Sequence, residues 1–400
     1  MRFPLPVVLH RPIITFSACI ALYPAAAVAA FSDSLSIAKF LGERDGAISY
    51  TFDDGTRDQI QNAPPLLEAQ GFRGTFFVIA GLAPQTDADA VSKPAGDWGS
   101  GSWQSYARVA ASGHEIANHS WSHVNLVGID DNWLHLETTT ACSLIAVRIG
   151  TPAFSYAYPY NTWDAKVRAA VFQRHHAARE AQTGIGTSST VTSCNSVANN
   201  AITTKTWVAL MIHGIAAGYE PFSNISVFRD HLAYVKTKDP QLWVATFGAV
   251  SRYIKERDSS TITAQHTGAN EATVRMSTTL DTSLYDQPLT VIIPAPGAVG
   301  ATARRQAGNQ PVPASIKTGR ILVDIVPDNS PVIVTWTYQS SVIRNGGPKS
   351  GTPARVRGKF IRGMHSSMGN PNAKAFDAQG RERDAAGRSP SPPISIAPEH

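Results

Sequence analysis

A chain of 400 residues with 43% hydrophobic composition is long enough to bury a sizeable core, which excludes a disordered protein and fits one large domain, or one large and one small. The formal net charge of +5 does not mark a nucleic-acid binder, because it is local. Gly346 to His400 carries nine Lys or Arg against four acids, so a tail that reads as a solvated extension supplies the whole excess.

In chain order, Arg2 and Arg11 precede an apolar stretch from Ile13 to Ala29 that ends in small residues before Phe31. This is the layout of a secretory signal over residues 1–30, too short for a stable membrane span, and it predicts a periplasmic or extracellular protein. Cys19 falls inside that signal. Cys142 and Cys194 then remain as one pair for a disulfide in an oxidising compartment, with two buried free thiols as the alternative.

From Ala47 to about Arg257 short apolar runs alternate with helical patterns, the texture of an α/β domain, which is predicted over residues 31–258. The predicted strands are Ala47 to Phe52, Gly74 to Ala80, Glu115 to Asn118, Phe154 to Tyr158, Trp207 to Ile212 and Leu242 to Ala245. Helices are predicted over Asp58 to Gln70, Trp103 to Ser112, Asp130 to Ile149, Trp163 to His175, Ser226 to Lys238 and Thr246 to Arg257, several with Asp, Ser or Thr at the entry and Gly at the exit. Repeated βα units close into a barrel or line up in an open parallel sheet. Residues 259–345 hold five Thr- and Ser-rich alternating runs, predicting a small all-β, sandwich-like domain, and 346–400 predicts a disordered basic tail.

The chemistry-bearing residues follow predicted strands. Asp53-Asp54-Gly55 ends the first strand, and two carboxylates share a site only if the backbone leaves strand geometry there, which Gly55 permits. An isolated Asp-Asp-Gly is an ordinary turn, so its weight comes from His119-Ser120-Trp121-Ser122-His123, whose imidazoles four apart fit one helical turn that Ser120 or Ser122 caps. One Asp and two His make a three-ligand set for a divalent cation with a position open to water, the pattern of a hydrolytic site. Zn2+ is the default ion, with Co2+ or Mn2+ suited to the same ligands. His213 ends the run Leu210-Met211-Ile212, where a histidine can protonate a leaving group, and Leu210 and Met211 are placed to line a pocket for an acetyl methyl.

With these residues the chain resembles a polysaccharide deacetylase of carbohydrate esterase family 4, whose T-F-D-D-G, H-[ST]-x-x-H, R-x-P-[YF] and L-x-I-H motifs run in this order on a distorted (β/α) barrel. Thr51 to Gly55, His119 to His123 and Leu210 to His213 match, over a resemblance spanning Gly46 to Arg257. It implies Asp53 as general base, Asp54, His119 and His123 as metal ligands and His213 as general acid. Pro159 and Tyr160 are implied as a substrate- and oxyanion-binding pair through the Tyr160 backbone N–H. The implied substrate is an acetylated polysaccharide or oligosaccharide: N-acetylglucosamine units of chitin or peptidoglycan, with acetylxylan or non-catalytic wall binding as alternatives. Two departures stand out. Ala157 occupies the place of the motif arginine, whose loss raises the pKa of Asp53 unless another cation such as Arg179 substitutes, and the Asp and Trp of a further motif are missing near His175 to Arg179, which leaves the partner of His213 open. Trp98, Trp103, Trp121 and Tyr160 are candidates for sugar stacking.

Overall fold

The computed structural model describes residue 31, residues 34–91 and residues 99–339. The expected signal with Cys19, Trp98 and the expected basic tail lie outside the described residues. A short first strand, β1 (Ser36–Ile37), precedes the parallel sheet and belongs to another sheet.

The parallel sheet is built on β2 (Gly46–Phe52), buried along its whole length, which is why its sequence shows no clean polar alternation. On one side of it follow β3 (Thr75–Val78), β4 (Glu115–Asn118), β5 (Ser155–Ala157) and β6 (Ala177–Arg179). On the other side lie β7 (Thr183–Gly184) and β8 (Trp207–Ile212), with β7 at the far edge. A two-residue hairpin follows β8, β9 (Gly214–Ile215) with β10 (Ala217–Gly218), and β11 (Leu242–Val244) pairs in parallel with the first half of β2.

Four strand spacings separate β2 from β6, about 19 Å in a flat sheet. Yet Nη1 of Arg179, at the end of β6, lies 2.6 Å from Oδ1 of Asp53, just past β2. The sheet is therefore curled, a distorted barrel left open between β6 and β7, the two ends of the hydrogen-bonded path. This is the barrel alternative of the sequence reading, and it brings the loops after β2, β4, β5, β6 and β8 together at one end.

Helices cover the outside. Arg57–Glu68 starts at a capping box between Thr56 and Gln59, and Trp103–Ala111 at one between Ser102 and Ser105. The helix expected over Asp130 to Ile149 is interrupted: Asp131–His135 and Ala141–Ile149 flank a π-helical stretch, Leu136–Thr140, that turns Glu137 inward. The stretch between Arg179 and Trp207, where no helix was predicted, contains the helix Val191–Thr204. Its Ser, Thr and Asn have weak helix propensity, but Thr190 caps it and Cys194, Ala198 and Ala201 are buried against the barrel, so tertiary packing overrides propensity. Cys142 and Cys194 sit on different helices as buried free thiols, correcting the disulfide expectation.

Residues 260–338, joined by the early strand β1, form two antiparallel sheets. The first has the order β1, β14 (Leu289–Pro294), β18 (Arg320–Ile325), β17 (Ala314–Lys317). The second runs β12 (Ser260–Gly268), β13 (Glu271–Thr278), β19 (Val332–Tyr338), β15 (Ala298–Arg305), β16 (Pro311–Val312). Both sheets supply one apolar core, with Val274, Met276, Val291, Ile293 and Val323 among its residues, shared with Phe40, Trp243 and Tyr253 beneath the barrel. The five alternating runs seen in the sequence are β12, β13, β14, β18 and β19. Strands β15 to β17 went unread because they are poor in large apolar residues and half-exposed.

Candidate active site

The site starts where β2 stops. The Asp53 N–H still donates to the Ile212 carbonyl at 2.9 Å, prolonging the ladder with β8, but Asp54 and Gly55 have φ of 73° and 59°. This left-handed pair lets both carboxylates face one cavity, as the sequence required. A Cβ on Gly55 would lie 2.7 Å from the Tyr106 hydroxyl, so glycine is needed there for space as well as for φ. Buried Gln59, which sequence reasoning missed, donates to the carbonyls of Asp53 (2.5 Å) and His213 (2.7 Å) and so ties the ends of β2 and β8 together. Its only sequence signal was its capping-box position.

The segment His119 to His123 is not a helical turn. It is a loop in which Ser120 (φ 74°) and His123 (φ 60°) are left-handed, and these two bends bring the imidazoles together at a centroid distance of 4.9 Å. Ser120 and Ser122 hold the loop instead of capping a helix: Ser120 Oγ accepts from the His123 N–H at 2.9 Å and Ser122 Oγ donates to Glu137 at 2.5 Å. The fully buried Glu137 carboxylate also accepts from the N–H groups of Trp121 and Ser122, each at 2.9 Å. Asn118 Oδ1 accepts from the Ser120 N–H at 2.9 Å.

His119 Nδ1 lies 2.8 Å from the Ala157 carbonyl. A carbonyl only accepts, so Nδ1 carries the proton and Nε2 turns its lone pair to the cavity, where Asp54 Oδ1 is 3.6 Å away and itself 3.4 Å from His123 Nε2. The three ligand atoms lie within 4.8 Å of one another. Burial lowers the pKa of His119 to about 4 despite the pull of Asp53, and burial lowers that of His123, so both are neutral ligands at pH 7. Burial and the neighbouring Asp53 raise Asp54 to about 6. Two neutral imidazoles facing a carboxylate that is costly to ionise form a donor set that a divalent cation satisfies.

A cavity of about 750 Å³ opens over these groups and is lined also by Asp53, Tyr160, Met211 and His213. His213 Nε2 stands 3.9 Å from Asp53 Oδ2. Met211 lines the cavity, but Leu210 does not: successive residues of β8 face opposite sides, and Leu210 is buried in the core under the helices. Pro159 is likewise buried outside the cavity lining, while Tyr160, left-handed at φ 56°, lies with its ring 4.8 Å from that of His123. Of the stacking candidates, Trp103 is core and Trp121 half-buried against Gly81, leaving Tyr160 exposed at the site.

Residues 42–176 match the family model described as polysaccharide deacetylase. The chain carries a polysaccharide deacetylase domain. A gellan lyase of a Bacillus species is 24% identical over 340 residues, 74% of this chain, which spans 13% of that much longer protein. Among solved structures, the peptidoglycan deacetylase of Bacillus subtilis is 17% identical with a TM-score of 0.39, covering 55% of this chain and 96% of its own. A family 4 acetyl xylan esterase from Clostridium thermocellum is 18% identical with a TM-score of 0.36, covering 51% and 89%.

The deacetylase domain replaces its missing motif arginine from the adjacent strand. Ala157 on β5 is the registered partner of Arg179 on β6, so the two side chains stand at one level on one face. Arg179, wholly buried, grips Asp53 with both terminal nitrogens, Nη1 to Oδ1 at 2.6 Å and Nη2 to Oδ2 at 2.5 Å, and donates to Thr51 Oγ1 at 2.8 Å. Its guanidinium lies over the Phe77 ring, 5.2 Å from the centroid. Burial works to raise the pKa of Asp53, but the guanidinium and the nearby histidines outweigh it and bring it down to about 2. His213 is framed by Asp53 on one side and, edge-on at 5.2 Å between centroids, by Tyr219 on the other.

Proposed function

We propose that this chain is an exported, metal-dependent deacetylase that removes N-acetyl groups from N-acetylglucosamine units of a glycan such as chitin or peptidoglycan, releasing acetate. One observation carries the reading: Asp54, His119 and His123 converge in a single cavity that Asp53 and His213 also line. Asp54, His119 and His123 would hold the cation, with Zn2+ the first choice and Co2+ or Mn2+ suited to the same donors. When bound, such an ion withdraws electron density from the acetyl carbonyl and eases the ionisation of water.

This chain's own residues then move the protons. Asp53, aimed by Arg179, takes a proton from the attacking water as its oxygen bonds to the carbonyl carbon, and the Tyr160 N–H serves as donor to the carbonyl oxygen. His213 gives its proton to the nitrogen as the C–N bond breaks. The low proton affinity of Asp53 favours return of its proton to His213, 3.9 Å away, by way of one water, which resets both groups. Met211 borders the acetyl methyl.

The test is acetate release from chitooligosaccharides with added metal. Activity unchanged by EDTA or by Asp54→Ala rejects the mechanism, and no acetate from any acetylated glycan leaves only a wall-binding module. A higher rate on acetylxylan moves the assignment to ester hydrolysis at the same site.

A further inference from the structure

Three acids line the cavity, Asp53, Asp54 and Glu220, and among the described residues no Lys or Arg does. Arg179 is wholly buried beneath Asp53, so its charge is spent there rather than offered to a ligand. Asp54 belongs to the cation site. Glu220 is the acid left over.

Glu220 and Tyr219 sit on the loop that carries β9 and β10, and this loop is fixed from both sides. Phe222 N–H donates to the Gly214 carbonyl at 3.0 Å, Ala216 N–H to the Phe222 carbonyl at 3.1 Å and Thr187 N–H to the Glu220 carbonyl at 3.2 Å. Ala216 (φ 75°) and Glu220 (φ 42°) hold left-handed backbone, a strain that the surrounding contacts maintain, while Gly218 (φ 121°) adopts a positive φ that glycine takes freely. The result is that Tyr219, 50% exposed, lies edge-on to His213, with the exposed Glu220 on the cavity wall beside it. If His213 faces the leaving nitrogen, as the deacetylase reading on which this inference rests requires, its neighbours face the sugar ring that bears that nitrogen.

We propose that Tyr219 and Glu220 are the residues that select the sugar: Tyr219 offers an apolar surface to the pyranose, and Glu220 accepts hydrogen bonds from its hydroxyls and repels carboxylates. The preferred substrate class is a neutral or amine-bearing glycan, with chains rich in uronic acids or acidic peptide stems excluded. A free amino group on a neighbouring sugar strengthens binding, so partly deacetylated chains bind better than fully acetylated ones.

The experiment compares an N-acetylglucosamine tetramer with a hyaluronan tetrasaccharide, in which glucuronate alternates with the same N-acetylated sugar. Catalytic efficiency is measured for the zinc-loaded full chain and its Glu220→Gln and Glu220→Lys variants, and dissociation constants by calorimetry in a His213→Ala background that blocks turnover. Linkage differences between the two oligomers are common to all variants, so the change in their ratio reads charge. The expected preference for the neutral tetramer narrows about fivefold in Glu220→Gln and further in Glu220→Lys, and the effect weakens with salt. A ratio that does not move in either variant overturns the proposal. Absence of acetate from both oligomers refutes the deacetylase reading instead, while the binding ratio still decides the charge selection.

Discussion

Replacing Arg179 by methionine keeps most of the side-chain volume and removes the cation that holds Asp53. Both partners are buried, Arg179 at 0% and Asp53 at 3% side-chain exposure, so solvent cannot take over the pairing. In the wild type Asp53 is lowered from 3.8 to about 2. A folded pKa below the unfolded one adds stability that is complete above the unfolded value and is lost as pH falls through the folded one, here about 2.5 kcal/mol. In Arg179→Met the remaining burial raises the carboxyl, the sign reverses, and the stranded charge destabilises the fold by about 3–5 kcal/mol at pH 7. Acidification to pH 4.5 then helps the variant, because Asp53 protonates in the fold, and leaves the Asp53 contribution of the wild type unchanged. Asp54 titrates in both proteins, so its effect cancels to first order in the difference. Urea unfolding at pH 7 and pH 4.5 reads this directly, and the gap between the two proteins must shrink at the lower pH. A gap equal at the two values, or below about 1 kcal/mol at pH 7, refutes the reasoning.

The register of β5 and β6 makes a second prediction: Ala157→Arg placed on an Arg179→Ala background recovers a large part of the activity lost in the single variant, measured as kcat/KM, because the new guanidinium starts from the same level and face. Glu137→Gln puts an amide where three donors point, loosens the His119 to His123 loop and lowers zinc affinity by about 10- to 100-fold in calorimetric titration, with little change in the barrel's far-UV circular dichroism. Since the pKa of Asp54 stands at about 6 without a cation, zinc binding at pH 5 must displace a proton from it. Affinity therefore falls about tenfold between pH 7 and pH 5 and gains almost nothing from Asp54 above pH 7, which titration across that range checks.

Much of this site was legible because its residues carry their chemistry in fixed order at strand ends. The strands Glu115 to Asn118 and Trp207 to Ile212 were readable to the residue, since both are short runs between clear stops. Asp53, Asp54, His119, His123, Met211 and His213 all reach the cavity. What failed was local geometry. Spacing of four suggested a helix at His119, but a buried glutamate 14 residues beyond His123 supplies a better set of acceptors, and no pattern in the sequence links the two. Leu210 was assigned to the pocket from adjacency alone, and strand alternation sends it the other way. Arg179 could be named as a candidate cation but not placed, because β6 is only three residues long and the register that sets Arg179 beside Ala157 depends on curling of the whole sheet. The strand β1 precedes the barrel in the chain yet pairs with β14, a contact that no local signal announces.

The central claim is that one carboxylate and two imidazoles from separate loops hold a single divalent ion. Anomalous diffraction at the zinc edge from crystals of the zinc-soaked protein tests it most directly. The account predicts one strong peak within about 2.0–2.2 Å of Asp54 Oδ1, His119 Nε2 and His123 Nε2, absent in Asp54→Ala. A peak elsewhere, or one that persists at full height in Asp54→Ala, contradicts it.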